Sequence, residues 1–213
     1  MPRDIALNRG LSPDRQTVQG FHVLDQFNGV DATAITAHLP DVAPPGSAWA
    51  IQGSAPAATP NLSGNRLRIQ DNGDGQTRWV EIESGEADCN IDLLLYMNSI
   101  NPAWGGIMFR GTVSNRWHFR VEYESQTLKL YDPTGAAQSI AFAAAVSNVI
   151  RYEVGLAGSY VAAKAKNLNS GLEKIIENNG GLNRIATLHG VSTRNAFGNG
   201  ASDFYEAFAV RAR

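Results

Sequence analysis

Residues 105–132, GGIMFRGTVSNRWHFRVEYESQTLKLYD, contain three short runs in which apolar and polar residues alternate, separated by turn residues. This period of two predicts consecutive antiparallel strands that each bury one face. In the second run, one side carries the apolar residues Trp117, Phe119, Val121 and Tyr123. Because successive strand side chains point to opposite faces, the other side carries His118, Arg120, Glu122 and Glu124. The question of function is what this polar side contacts.

The same alternation recurs along the rest of the chain. About a dozen short strands without long helices predict an all-β protein made of two packed antiparallel sheets, a jelly-roll sandwich. Residues 91–97 are apolar almost throughout, which is typical of a central strand. Residues 172–176 are ambiguous, because Ser170 and Glu173 have the spacing of a helix capping box while residues 169–171 also suit a hairpin turn. The surrounding β pattern favours a strand there.

Length and composition indicate one large β domain with an arm. The chain has 213 residues, with 21 Gly and 9 Pro, which favours a sheet protein with many turns. We expect a domain over residues 21–213 and an extended N-terminal arm over residues 1–20, which is polar and contains Pro2 and Pro13. The arm has two interpretations: a disordered tail, or a segment that orders against a neighbouring subunit.

Charge and cysteine content exclude several classes of protein. Eighteen basic residues against twenty acidic ones, a net charge of −2, give no reason to expect a nucleic-acid partner. Cys89 is the single cysteine, so neither an intrachain disulfide nor a cysteine zinc site is expected. Residues 1–20 lack the apolar segment of a secretion signal, and the longest mostly apolar run, 140–146, is too short to span a bilayer. We therefore expect a soluble protein that does not insert into membranes.

Residues 70–81 come close to the spacing of a calcium-binding loop. Asn72, Asp74, Gly75 and Glu81 stand at ligand or turn positions, but Gln70 occupies the place of the first carboxylate. Since both flanks have strand patterns, a hairpin turn is the favoured interpretation. We predict no metal or other cofactor, and calcium binding by this loop stays open.

Several short motifs, in their order along residues 21–213, resemble the concanavalin A-like lectin/glucanase group in its laminin-G-like form. They are residues 25–29 (DQFNG), 49–68 ending in SGNRLR, 106–110 (GIMFR), 115–117 (NRW), 128–131 (LKLY) and 204–210. The resemblance implies a jelly-roll sandwich. It leaves the function open, because this fold serves lectins, glucanases, adhesion modules and architectural virion domains.

The glucanases of this group use carboxylates in an E-x-D-x-x-E arrangement, which this chain lacks. Residues 81–83 (EIE) and 122–124 (EYE) each supply two acids at positions i and i+2 without the third. Glu122 and Glu124 have a permissive spacing for glycoside hydrolysis. However, His118 and Arg120 on the same face would keep both carboxylates ionised, where one should be an acid. The residues therefore predict a protein that is not an enzyme.

A glycan site requires less: an aromatic face for sugar C–H groups and planar polar groups for the hydroxyls. The candidate residues are Trp79, Tyr96, Arg110, His118, Arg120, Glu122 and Tyr131. The alternative for each is an ordinary surface or a contact between subunits.

The leading hypothesis is a non-enzymatic virion protein of a tailed phage: a head decoration or fibre, or a tail-associated receptor-binding component. It would be made in the host cytoplasm, contact other virion proteins through residues 1–20, form a homo-oligomer and contact host-surface glycans. Residues 140–146, rich in alanine, would suit close packing between subunits. The alternative is a free carbohydrate-binding lectin module, and a glycoside hydrolase is the third hypothesis.

Overall fold

The computed structural model describes residues 20–53, 59–70, 77–97, 104–112, 115–194 and 202–213. Within them the chain forms one 3₁₀ turn, Ile35–Ala37, and fifteen β-strands. The strands are β1 Phe21–Asp25, β2 Ala50–Gly53, β3 Asn61–Leu62, β4 Leu67–Gln70, β5 Thr77–Glu83, β6 Cys89–Tyr96, β7 Trp104–Gly111, β8 Trp117–Glu122, β9 Thr127–Tyr131, β10 Ala137–Ala141, β11 Val149–Ala157, β12 Tyr160–Asn167, β13 Glu173–Asn178, β14 Leu188–Arg194 and β15 Ser202–Ala212.

The strands build two antiparallel sheets, which confirms the predicted all-β sandwich of the jelly-roll type. The eight-stranded sheet has the order β13-β12-β11-β6-β15-β4-β3, with β1 also paired to β15. The seven-stranded sheet has the order β10-β9-β8-β7-β14-β5-β2. Strands β7, β8 and β9 are neighbours, as the alternation in residues 105–132 predicts. Strand β6 lies between β11 and β15, so the predicted central strand is confirmed as well.

The core fills the space between the sheets. From the seven-stranded sheet, Ile107, Phe119 and Leu130 lie side by side in register and are no more than 1% exposed. Two tyrosines of the eight-stranded sheet extend across this core, and their hydroxyl groups bond backbone carbonyls of the seven-stranded sheet. Tyr152 on β11 donates a 2.8 Å hydrogen bond to the Gly105 carbonyl on β7, and Tyr205 on β15 donates one of 2.9 Å to the Ser192 carbonyl on β14. Hydrogen bonds from these two hydroxyl groups, together with apolar contacts, therefore hold the two sheets in register.

Asp25 anchors the start of the domain. It is fully buried, and its carboxylate accepts hydrogen bonds from the Phe27 backbone N–H (2.6 Å) and from Nε1 of Trp49 (2.7 Å). Nε2 of His38 lies 3.0 Å from the same carboxylate. Burial raises the pKa of Asp25 more than these partners lower it. The acidic residue of the DQFNG motif is thus a structural hub for the first loop.

Two ambiguous segments are now assigned. Residues 173–178 form the edge strand β13, which confirms the strand interpretation of 172–176. The hairpin expected at 70–81 is wrong, because β4 belongs to the eight-stranded sheet and β5 to the seven-stranded one. Local alternation does not reveal which sheet a strand joins. Residues 71–76, and with them the calcium question, lie outside the described residues.

The remaining expectations concern surfaces and termini. Residues 1–19 of the proposed arm lie outside the described residues, so its docking role stays a prediction. Within 140–146, Phe142 is fully buried and Ala144 is 8% exposed, so this segment partly serves the chain's own core. None of the described helices is long and apolar enough to cross a membrane.

We expect Tyr152→Phe to lower the free energy of unfolding by about 1–3 kcal/mol. The substitution keeps the ring but leaves the Gly105 carbonyl without this buried donor. Urea unfolding followed by tryptophan fluorescence would measure the change. The matched control is Tyr160→Phe, whose hydroxyl lies on the surface beside Glu177, and it should leave the urea midpoint unchanged. Equal midpoints for both variants would contradict the bridging role of Tyr152.

Candidate functional site

One side of the seven-stranded sheet faces away from the core, and we call this side the outer face. It carries polar side chains from residues 105–132. Register places them in three adjacent rows across β7, β8 and β9: Met108–His118–Tyr131, Gly106–Arg120–Lys129 and Trp104–Glu122–Thr127. Strand β14 adds Ser192 beside Gly106, and β5 adds Trp79 beside Ser192. Residues distant in sequence thereby form one surface.

Arg120 is held between two aromatic rings. Its Cζ atom lies 4.0 Å from the ring centroid of Trp104 and 4.1 Å from that of Tyr131. Both distances fit cation–π contacts, which are stronger where water is excluded. Gly106 helps to make this packing possible, because a Cβ there would lie 2.7 Å from the Cα and Cβ atoms of Arg120. The backbone of β7 therefore approaches Arg120 more closely than any other residue type would allow.

Glu122 holds the guanidinium of Arg120 and the hydroxyl of Tyr131 in place. Its Oε1 accepts hydrogen bonds from Nε (3.1 Å) and Nη2 (2.8 Å) of Arg120 and from the hydroxyl of Tyr131 (2.9 Å). Its Oε2 lies 2.6 Å from Nζ of Lys129. Burial alone would raise the pKa of Glu122, but the hydrogen bonds from Lys129, Arg120 and Tyr131 outweigh it and lower the pKa. The carboxylate is therefore ionised at neutral pH and orients three donors.

A second cluster continues the layer toward β5. The guanidinium of Arg116 lies 4.3 Å from the ring centroid of Trp79, and its Nη2 lies 3.9 Å from Oε2 of Glu81. The ring of His118 makes edge contacts at 6.0 Å with both Trp79 and Trp104. Six side chains thus form an unbroken line of stacking contacts: Arg116, Trp79, His118, Trp104, Arg120 and Tyr131. A carboxylate, Glu81 or Glu122, binds the cation near each end.

The environment of His118 keeps its ring neutral. Burial, and then the positive charges of Arg120 and Arg116, lower the pKa of His118 to about 3. On the core side of the same sheet, burial lowers the pKa of His189 to about 4, despite its hydrogen bond to the Glu86 carbonyl. Burial raises the pKa of Glu81, since it outweighs the attraction of Arg116. A neutral imidazole in the centre of the line avoids repulsion between three neighbouring cations.

The structure brings together five of the seven residues proposed from sequence: Trp79, His118, Arg120, Glu122 and Tyr131. Tyr96 lies on β6 in the other sheet, beneath the guanidinium of Arg66 at 4.8 Å. Arg110 is turned away as well, because its φ of +45° and a register irregularity between β7 and β14 break the alternation. Its side chain instead bonds the Ala87 carbonyl (3.2 Å) and Asp88 (3.0 Å).

Three side chains that make the contacts of the outer face were not proposed from sequence: Trp104, Arg116 and Lys129. All three could have been found by extending the alternation, since Trp104 precedes Gly106, Arg116 precedes His118 and Lys129 precedes Tyr131, each at a spacing of two. Glu124, expected beside Glu122, lies instead in the exposed turn after β8. The strand ends before alternation can place it on the face.

Comparison with known proteins supports the fold. No protein-family model matches the chain, and no curated protein matches it. Among solved structures, it is similar to the carbohydrate-binding module CBM66 from Bacillus subtilis, with a TM-score of 0.57 and 12% identity over 77% of this chain and 95% of that one. It is also similar to the lectin UEA-II complexed with galactose, with a TM-score of 0.55 and 7% identity over 76% and 92%.

A third similar structure is the xylan β-1,4-xylosidase from Bacillus halodurans C-125, with a TM-score of 0.57 and 10% identity. The match covers 70% of this chain but only 33% of that one. At such identities these similarities establish a sandwich of the lectin and carbohydrate-binding-module type and nothing finer. None of the three names refers to a virion, so the virion assignment stays a prediction.

We expect the imidazole signals of His118 and His189 in NMR spectra to stay constant from about pH 8 to about pH 5, because both rings are neutral in the folded protein. The same rings in urea should titrate near their ordinary value of about 6.5. The unfolded state then binds protons that the folded state excludes, so the free energy of unfolding should fall as the pH drops below about 6.5. Midpoints near 6.5 in the folded protein would contradict the described burial.

Proposed function

We propose that this protein is a non-enzymatic carbohydrate-binding module whose ligand lies on the outer face, over Tyr131. The observation that carries the proposal is the stack of Trp104, Arg120 and Tyr131 locked by Glu122. A flat aromatic ring beside fixed planar hydrogen-bonding groups is what binding a sugar ring requires. The site is preorganised, because Glu122 already orients the donors that a ligand would meet.

The position of Tyr131 allows stacking with a ligand. Arg120 covers one side of its ring, at 4.1 Å. Its register partner on β10 is Ala137, whose single methyl group fills little space. Among the described residues, therefore, no bulky cross-strand partner on β10 covers Tyr131, and the ring is partly exposed. A sugar ring can approach from this side while its hydroxyls reach Arg120, Lys129 and Glu122.

Two further observations support binding over other uses of the face. The similar structures include a carbohydrate-binding module and a lectin solved with galactose, whose names describe those proteins.

The second observation is the distance between the two glutamates of the outer face, Glu81, whose pKa is raised, and Glu122, whose pKa is lowered. Three strand spacings separate them across the sheet, and they are offset by four residues along the strands. That separation is about 19 Å between their backbones, and Glu122 is turned toward β9. Glycoside hydrolysis needs carboxyl groups within about 10 Å of each other.

A glycan array followed by calorimetry tests the proposal. We expect Tyr131→Ala to weaken binding of the identified glycan about tenfold or more, since it removes the stacking ring and a donor to Glu122. Tyr131→Phe should retain most of the affinity because it keeps the ring. The control Tyr160→Ala removes a tyrosine from the other sheet and should leave affinity unchanged.

Two results would count against the proposal. The first is an array without any binder, or binding that is equal in Tyr131→Ala and Tyr160→Ala, which would remove the outer face as the site. The second is hydrolysis of an array glycan that is lost in Glu122→Gln, which would make the protein an enzyme.

A further inference from the structure

Glu122 is one carboxylate shared by two cations. Arg120 bonds one of its oxygens and Lys129 contacts the other, so this cluster carries an excess positive charge although the chain as a whole has a net charge of −2. The side chains of Arg120 and Lys129 are 13% and 25% exposed, so both are partly reachable from solvent and partly removed from it. Partial burial strengthens the attraction between such cations and an approaching anion.

Within the described part of the chain, two tryptophans of the outer face also lack a hydrogen-bond acceptor for their indole N–H groups. Two buried indole N–H groups on it, Nε1 of Trp79 and Nε1 of Trp104, have no hydrogen-bond partner among the described residues, and the same holds for Nδ1 of His118, Oγ of Ser192 and Oε2 of Glu81. An indole N–H can only donate, and buried polar groups are normally paired. The carboxylates of the face do not bond these indoles: Glu122 is bonded by Arg120, Lys129 and Tyr131, and Oε2 of Glu81, 3.9 Å from Nη2 of Arg116, has no hydrogen bond itself to any residue that the structure describes. The complementary ligand is therefore rich in acceptors.

The shape of the Arg120 site favours a planar anion. Both faces of its guanidinium are covered by rings, and the edge with Nε faces Glu122. A further ligand must therefore accept hydrogen bonds from the remaining N–H groups, in the plane of the guanidinium. A carboxylate suits this geometry, because its two oxygens can accept from two parallel N–H groups. Lys129 supplies a second, flexible donor in the same cross-strand row.

Resting on the proposed function, we infer that the glycan bound at the outer face is acidic and carries carboxylates, as polymers of uronic acid do. The sugar ring stacks on Tyr131, and its carboxylate binds Arg120 and Lys129. A uronic acid joins an apolar ring face to a carboxylate one bond away, which matches the adjacency of the ring of Tyr131 and the guanidinium of Arg120.

The test compares polygalacturonate and alginate with the same polymers after their carboxyl groups have been reduced to hydroxymethyl groups. Affinity electrophoresis and calorimetry on the full chain measure both. We expect at least one polyuronate to bind, its reduced form to bind about tenfold more weakly or worse, and added salt to weaken the binding.

Matched variants locate the carboxylate. Lys129→Met keeps the side-chain length and removes the charge, so it should weaken polyuronate binding about fivefold and weaken binding of the reduced polymer, where Lys129 meets only hydroxyls, clearly less. The control is Lys164→Met on the other sheet, because Lys164 contacts Glu153, a glutamate that also binds an arginine, and is 34% exposed. It should have no effect.

The outcomes separate the two proposals. Equal binding of polyuronate and its reduced form, still dependent on Tyr131, would overturn the acidic specificity and leave the carbohydrate-binding function standing. Binding of dextran sulfate and DNA as strong as that of polyuronate would also overturn it, because the face would then be a general polyanion surface. If no array glycan and no polyuronate binds, both proposals fail.

Discussion

The structure depends on the two-sidedness of the seven-stranded sheet. Ile107, Phe119 and Leu130 must be buried together against the other sheet, and this fixes the register of β7, β8 and β9. A slip of one residue would turn this apolar row to solvent. The same register leaves Gly106, Arg120 and Lys129 no alternative but the outer face. The candidate site is therefore placed by the core.

The outer face is better described as a layer than as a set of independent side chains. Arg116 and Arg120 each stack on a tryptophan, and His118 joins the two halves by its edge contacts. A charged imidazole there would stand beside both guanidinium groups, and its depressed pKa shows that it is neutral instead. Because each side chain is held by its neighbours, the face can meet a ligand without ordering long side chains first, a cost that weakens many polar sites.

Sequence alone predicted what depends on local alternation and failed where pairing is not local. Residues on β8 and β9 were assigned to the correct faces, because each face follows from a period of two. Tyr96 was grouped with them although it belongs to the other sheet, and membership of a sheet is decided by distant partners. Arg110 was misplaced because a positive φ interrupts the alternation. The line from Arg116 to Tyr131 needs the register of five strands, which no local pattern contains.

The alternative for these residues is an ordinary solvated charged surface. The molecule has such a surface on its other sheet, and the two can be compared. On the outer side of the eight-stranded sheet, Arg151 and Lys164 pair with Glu153, and their side chains are 47% and 34% exposed. Such open ion pairs contribute little, because water and salt compete for both charges. Arg120 is instead 13% exposed, with a ring on each face and a glutamate at its edge. A cation held in that way has already lost most of its contact with water. An anion that binds in the guanidinium plane therefore has little water to displace from it. The two faces use the same residue types, and their burial separates a solvated surface from a candidate binding site.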